Sequence, residues 1–286
     1  GSPTVPDAQI NSKPIPRLPD GHVDLTGPWV GGGSNGDIER EGGLKPGELP
    51  LQPWAKAVRD KRVAKDEPYT ACLPMSVPRV NPYPWKFAMS YTDKGLSHIY
   101  VLHELMDAGA HRVIYMDGRP HPSDIAPHRW SGFSTGQWER NTLVYRTTHL
   151  KEAYLTRTGV PKSDRAEVTT RVHRYGNLLT IVFIINDPLY LTAPYIRESS
   201  WLVDPDQIIP PFPCEISPDG TIVPAGKVPS FLPGKNDVLS EFSTEYGIPP
   251  AGALGGEETL YPEYIKKMKT MPIAPRTTTE HYRRAQ

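Results

Sequence analysis

The sequence is poor in the features that mark the familiar enzyme and membrane classes. Its formal net charge is zero, with 32 basic and 32 acidic side chains. No electrostatic pull toward nucleic acid or an acidic membrane follows from that balance. No apolar run is long enough to span a bilayer as a helix. There is no GxSxG elbow, dinucleotide fingerprint, HExxH or CxxC pair. Hydrolase, dehydrogenase and metalloprotease readings lose support accordingly. The triplet Gly31-Gly32-Gly33 is followed by no GK[ST] and is not a phosphate loop. Neither a cofactor nor a metal is expected.

Cysteine is scarce too. Cys72 and Cys214 are the only two. They are either two buried thiols or one disulfide, and the disulfide requires an oxidising compartment such as the periplasm. Gly1-Ser2 resembles the remnant of a cleaved tag. A signal peptide removed upstream, and a periplasmic or secreted protein, are therefore expected, with the cytoplasm as the alternative.

What the chain has in excess is proline, 33 residues, and glycine, 24, together about one fifth of 286. Ordinary usage is roughly 12%. Many turns and few long helices follow. Prolines at 3, 6, 14, 16, 19 and 28 rule out a helix or central strand over residues 1 to 28. A short helix is predicted over 53 to 62, where Pro53 fits the first turn and Trp54, Ala57 and Val58 share a face.

From about residue 87 the pattern turns to strands, predicted over 97–105, 111–116, 133–138, 142–148, 166–175, 178–186 and 195–203. Asp117-Gly118, Glu139-Arg140-Asn141 and Tyr175-Gly176-Asn177 read as turns. Six to eight strands joined by short turns favour an antiparallel meander closing into a barrel. Short helices are expected over 236–246 and 258–269, and a frayed tail over 272–286. The division is a proline-rich arm over 1–86, a barrel over 87–215 and a C-terminal extension over 216–286.

Several phrases form a recognisable set: Pro19-Asp20-Gly21-His22-Val23-Asp24-Leu25-Thr26-Gly27-Pro28-Trp29, Pro50-Leu51-Gln52-Pro53-Trp54-Ala55 and Cys72-Leu73-Pro74-Met75-Ser76-Val77-Pro78-Arg79. Met116-Asp117-Gly118-Arg119-Pro120-His121-Pro122, the run Trp130 to Glu139, and Asp187-Pro188 with Tyr190 and Thr192 complete it. Together they resemble an uncharacterised family of exported bacterial proteins with PDGxPDLSGxW, CLPxGxPR, DGRPHP and WxGxSxGxWE phrases. The resemblance covers roughly residues 19 to 215 and implies a lipocalin-like barrel. Some of those proteins occur in bacteria that degrade aromatic compounds. The chain departs from the pattern at Arg140-Asn141, where GD is usual, at Lys162, where His is usual, and at Thr170-Arg171, where Glu-Arg is usual.

Candidate chemistry rests on histidine, tyrosine and arginine. Alternation puts His103 on the face of Val101 and Leu105, opposite Tyr100, and puts Arg171 and His173 on one face. His103 reads either as a satisfied core histidine or as a general base. Arg171 and His173 inside a barrel would require polar partners. His103, His173, Arg171 and Tyr100 are the catalytic candidates. Arg119, His121, Trp130, Trp138, Tyr154 and Tyr195 are the substrate-binding candidates. His121 and His128 flank Asp124 in a proline-rich loop whose spacing matches no standard metal set.

The expected function is a cofactor-independent lyase or isomerase acting on a small, hydrophobic, aromatic molecule in the barrel, such as a lignin-derived phenolic. The alternatives are a ligand-binding barrel without catalysis and an envelope-associated structural protein dimerising through its arms.

Overall fold

A computed structural model of the chain describes residues 5–32, 38–62, 72, 74, 77–78, 83–104, 111–156, 159–210, 240, 243–244 and 247–273. The chain divides into two compact units, Gly1–Ile216 and Ser217–Gln286.

The first unit is a closed β-barrel of nine strands. Its strands are β1 (Trp29–Gly31), β2 (Trp85–Thr92), β3 (Gly95–His103), β4 (Arg112–Tyr115), β5 (Phe133–Glu139), β6 (Thr142–Thr148), β9 (Glu167–Tyr175), β10 (Leu178–Asn186) and β11 (Tyr195–Val203). A separate two-stranded ribbon joins β7 (Ala153–Tyr154) to β8 (Pro161–Lys162). The expected lipocalin-like barrel is therefore present, with three differences from a simple meander.

First, β1 comes from the proline-rich arm and closes the ring, pairing with β11 and β2. The arm fits this role because Pro28 stands just before the strand, where no ladder donor is lost. Second, β2 over Trp85–Thr92 is an additional strand, since the first strand expected from the sequence starts at 97. Third, β4 and β5 run parallel. A parallel pair cannot be joined by a tight turn and needs a crossover of a dozen residues or more. Residues 116–132 supply it, so Asp117-Gly118 opens a long connection instead of a hairpin.

Alternation fixes what the barrel holds. Trp85, Phe87, Ile99, Val101, Ile114, Leu143, Tyr145, Val168, Val172, Leu179, Ile181, Phe183, Ile185, Tyr195 and Trp201 are all buried in one apolar cluster. Trp29 joins them at zero exposure, its indole N–H donating to the Leu25 carbonyl at 2.8 Å. Two glycines of the Trp130–Glu139 run are steric requirements. A Cβ on Gly132, whose φ is +65°, would stand 2.5 Å from the Thr148 carbonyl. One on Gly136 would stand 2.9 Å from Met116 Sδ and 3.0 Å from Ile114, where the parallel strand packs.

The arm lies along the barrel. Asn11 N–H donates to Asn177 Oδ1 at 2.8 Å, and Phe87 N–H to the Thr26 carbonyl at 2.9 Å. Arg174 donates to the carbonyls of Asp24 and Gly176. A helical turn, α1 (Ile38–Glu41), is tied to β11 twice. The Tyr195 hydroxyl donates to the Ile38 carbonyl, and Arg197 pairs with Glu41 at 3.2 Å. Helix α2 (Pro53–Lys61) forms as predicted and buries Ala55. Cys72 is disulfide-bonded, and the one other cysteine, Cys214, lies outside the described residues.

In the second unit Pro250–Ala253 and Pro262–Met268 are α-helical and Glu257–Leu260 is a 3-10 turn. Pro262 splits the helix expected over 258–269, because it cannot continue a preceding helix. The helix expected over 236–246 and most of the tail expected over 272–286 lie outside the described residues.

Candidate functional site

The crossover 116–132 folds back over the outer face of β5 and β6. Alternation turns Thr135 on β5, and Arg146 and Thr148 on β6, outward to meet it. The result is a cleft of about 550 Å³ lined by His121, Asp124, His128, Arg146, His149 and Arg165, among others.

Within it runs a chain of hydrogen bonds. His121 Nε2 lies 2.8 Å from Thr135 Oγ1, and its Nδ1 lies 2.7 Å from Thr148 Oγ1. Thr148 Oγ1 lies 2.8 Å from His149 Nδ1, and His149 Nε2 lies 2.9 Å from the Ser123 carbonyl. A carbonyl only accepts, so His149 Nε2 carries a proton. In the neutral ring its Nδ1 then accepts the Thr148 hydroxyl. With that proton committed, Thr148 accepts from His121 Nδ1, and His121 Nε2 accepts from Thr135. One direction of donation therefore runs from Thr135 to Ser123. His149 holds a left-handed φ of 55°, a conformation non-glycine residues seldom adopt.

His128 stands beside this chain, its ring 5.3 Å from that of His149. His128 Nδ1 lies 2.9 Å from the Leu150 carbonyl and so must donate. The neutral ring then keeps a lone pair on Nε2, as a general base requires. Burial, with Arg146 and His149 adding to it, holds the His121 pKa below the usual imidazole value, while Glu167 opposes the shift. Arg146 makes a two-pronged contact with Glu167 at 2.6 and 3.1 Å, on the solvent side.

A second groove of about 290 Å³ shares Pro122 and His149 with the cleft. Its walls include Val113, Tyr115 and Phe133, the last two stacked at 5.1 Å. A third, of about 320 Å³, shares Arg146 and adds Arg119, Thr135 and Gln137. Polar and aromatic surfaces thus adjoin across one histidine.

The residues singled out from sequence do not converge. His103 faces the interior, half-buried, its ring 5.7 Å from that of Trp85. Burial, with Arg112 contributing, pushes its pKa down to about 4. Arg171 and His173 share a face as expected, but it is the outer one. Their inward neighbours are Thr170, Val172 and Arg174, which are buried. Arg171 pairs with Glu139 at 2.7 Å in solvent. Tyr100 also lies outside, 2.8 Å from His98 Nε2.

Among the binding candidates, His121 lies in the cleft and Arg119 in the adjoining groove, paired with Asp117. Trp138 stacks on His22 of the arm at 4.5 Å. Trp130 lies under Lys151 at 5.1 Å, and Tyr154 is buried under Arg62 at 3.9 Å. Tyr195 is buried and bound to α1. Sequence reasoning missed His149, Thr148, Arg146 and Arg165, and weighed His128 only as a loop residue. The strand alternation that turns Arg146 and Thr148 outward was the available signal. Among the described residues no cluster of histidine, cysteine and acidic side chains could hold a metal ion.

Fold and cleft together define a class: a closed β-barrel whose crossover builds a histidine-lined cleft on the outer wall. No family model, curated protein or solved structure matches the chain.

Proposed function

We propose that the protein is a cofactor-independent lyase or isomerase working by histidine acid–base chemistry in the outer cleft. Its substrate on this reading is a small aromatic molecule bearing an anionic oxygen, such as a lignin-derived phenolic. The observation that carries the reading is His128, whose Nδ1 is spent on the Leu150 carbonyl at 2.9 Å while Nε2 keeps its lone pair. His128 removes a proton from the substrate. The electrons of the broken C–H bond form the new double bond, and the departing or migrating group takes a proton back from the His128–His149 pair. Arg146 and Arg165 hold the anionic oxygen as charge develops on it. The ring lies against Tyr115 and Phe133 in the adjoining groove. This moves the substrate from the barrel interior, where the sequence suggested it, to the outer wall.

A binding protein without catalysis is the second reading. It is favoured by His121, which commits both ring nitrogens to threonine hydroxyls. Incubation with a panel of phenolic and carboxylate-bearing aromatics, read by mass spectrometry, separates the two. New product masses with wild type and none with His128→Gln support catalysis. Bound but unchanged ligand supports the binding reading and sinks the first. The bonded Cys72 fits an oxidising compartment, and we propose the periplasm.

A further inference from the structure

The barrel interior holds more positive charge than the described residues neutralise. Arg197 is 1% exposed and has a carboxylate partner, Glu41, at 3.2 Å. Arg174 donates to two backbone carbonyls and has the Asp24 carboxylate near enough to interact with its charge. Arg112 is different. It is 7% exposed and faces inward beside Val101, its cross-strand partner on β3. Its Nη2 donates to Thr147 Oγ1 at 2.7 Å and reaches Ser134 Oγ at 3.4 Å, and its plane lies over Tyr145 at 4.9 Å. Among the described residues no carboxylate pairs with it, and its buried Nε–H has no hydrogen-bond partner. A guanidinium is always charged and cannot shed its proton to escape burial. Neutral hydroxyls and an aromatic face satisfy some of its donors but do not cancel its charge, and an uncompensated buried ion is strongly destabilising.

The neighbouring wall suits one kind of guest. His103 lies two residues from Val101 on the same inward face and opposite Trp85. Its ring is uncharged at neutral pH and so adds no second cation. The Tyr145 ring lies under the Arg112 guanidinium at 4.9 Å, and the His103 ring stacks on Trp85 at 5.7 Å. A small carboxylate brings one negative charge and an oxygen that the free Nε–H can reach, in the planar geometry guanidinium prefers.

We propose that Arg112 is the anchor of an internal binding site for a small carboxylate, with His103 and Tyr145 as its walls. The site is separate from the outer cleft and does not depend on the chemistry proposed there.

The test is thermal melting of the full chain in formate, acetate and benzoate at fixed ionic strength, with chloride and phosphate as reference anions. A saturable rise in Tm with the carboxylates, absent in Arg112→Met, is the expected result. Because Arg112→Met can fold poorly, the Nε–H resonance of Arg112 is followed by NMR in wild type during the same titrations. It should move with carboxylate and stay fixed with chloride. Equal stabilisation by all anions, equal stabilisation of Arg112→Met, or an Arg112 Nε–H unmoved by carboxylate would overturn the proposal. A response to phosphate in place of the carboxylates would overturn the ligand class.

Discussion

Asp187 holds Ser163 through both carboxylate oxygens: one accepts the Ser163 backbone N–H at 2.7 Å and the other its hydroxyl at 2.7 Å. The oxygen that takes the hydroxyl also accepts the N–H groups of Leu189 and Tyr190 at 3.1 and 3.2 Å. Asp187 is 1% exposed, and four neutral N–H and O–H donors take the place of water around its carboxylate. The bond joins the end of β8 to the turn after β10. Asp187-Pro188 is thus a structural clasp next to the cleft, where Pro188 forms part of the wall.

Removing that clasp should be costly. Asp187→Ala leaves buried donors unpaired, and a loss of about 3–5 kcal/mol is expected. Ser163→Ala removes one hydroxyl contact and should cost about 1 kcal/mol. Urea denaturation of the two variants checks the ranking, and equal costs would show that the hydroxyl bond dominates the clasp.

Thr148→Val cuts the hydrogen-bond chain while preserving shape. His121 and His149 each lose a partner, so a loss of about 1–3 kcal/mol is expected. The nitrogen chemical shifts should also show His121 departing from its Nδ1–H form, while the Ser123 carbonyl keeps His149 in the Nε2–H form with its Nδ1 no longer hydrogen-bonded. Ring shifts identical to wild type would contradict the directed chain.

His103 should make stability depend on pH in a defined window. Unfolded, the ring titrates near its ordinary value of 6.5; folded, at about 4. Between those values the unfolded chain binds the proton and the folded chain does not. Stability therefore falls as pH falls from about 6.5 to about 4, with a slope approaching about 1.4 kcal/mol per pH unit, and then levels off. Comparing wild type with His103→Leu isolates this contribution. Parallel stability–pH curves for the two proteins would contradict the depressed value.

Arg174 fastens the arm. Its guanidinium spans from the Asp24 carbonyl to that of Gly176 and lies 5.2 Å from the Trp29 ring centre. Arg174→Met should speed amide exchange over residues 22–29 and cost about 2–3 kcal/mol. Unaltered exchange there would mean that Val23, Leu25 and Trp29, all buried, hold the arm by packing alone.

Strand periodicity made most of the barrel legible. Val168, Thr170 and Val172 alternate with Thr169, Arg171 and His173, and the two sets do fall on opposite faces. What periodicity does not carry is which face is inward when both contain polar groups. Arg171 and His173 read as interior candidates, although Arg174, one residue on, is the buried cation. Closure was also hidden, because β1 is only three residues long and sits in a proline-rich arm. The parallel pairing of β4 and β5 is a long-range choice that no local turn signal records. The cleft follows from that choice, since it brings His121 and His128 from the crossover against Thr148 at the end of β6 and His149 just after it. Their separation in sequence left His121 as the one expected ligand contact among them, with His128 noted only beside it as a loop residue whose spacing fits no metal set.

The central claim is that proton transfer occurs at His128 in the outer cleft. The most direct measurement is the rate of product formation from the aromatic panel by wild type, His128→Gln and His173→Gln. The account expects His128→Gln to lose activity by about 100-fold or more while retaining the wild-type melting temperature, and His173→Gln to keep the wild-type rate. Full activity in His128→Gln, or loss confined to His173→Gln, would contradict it.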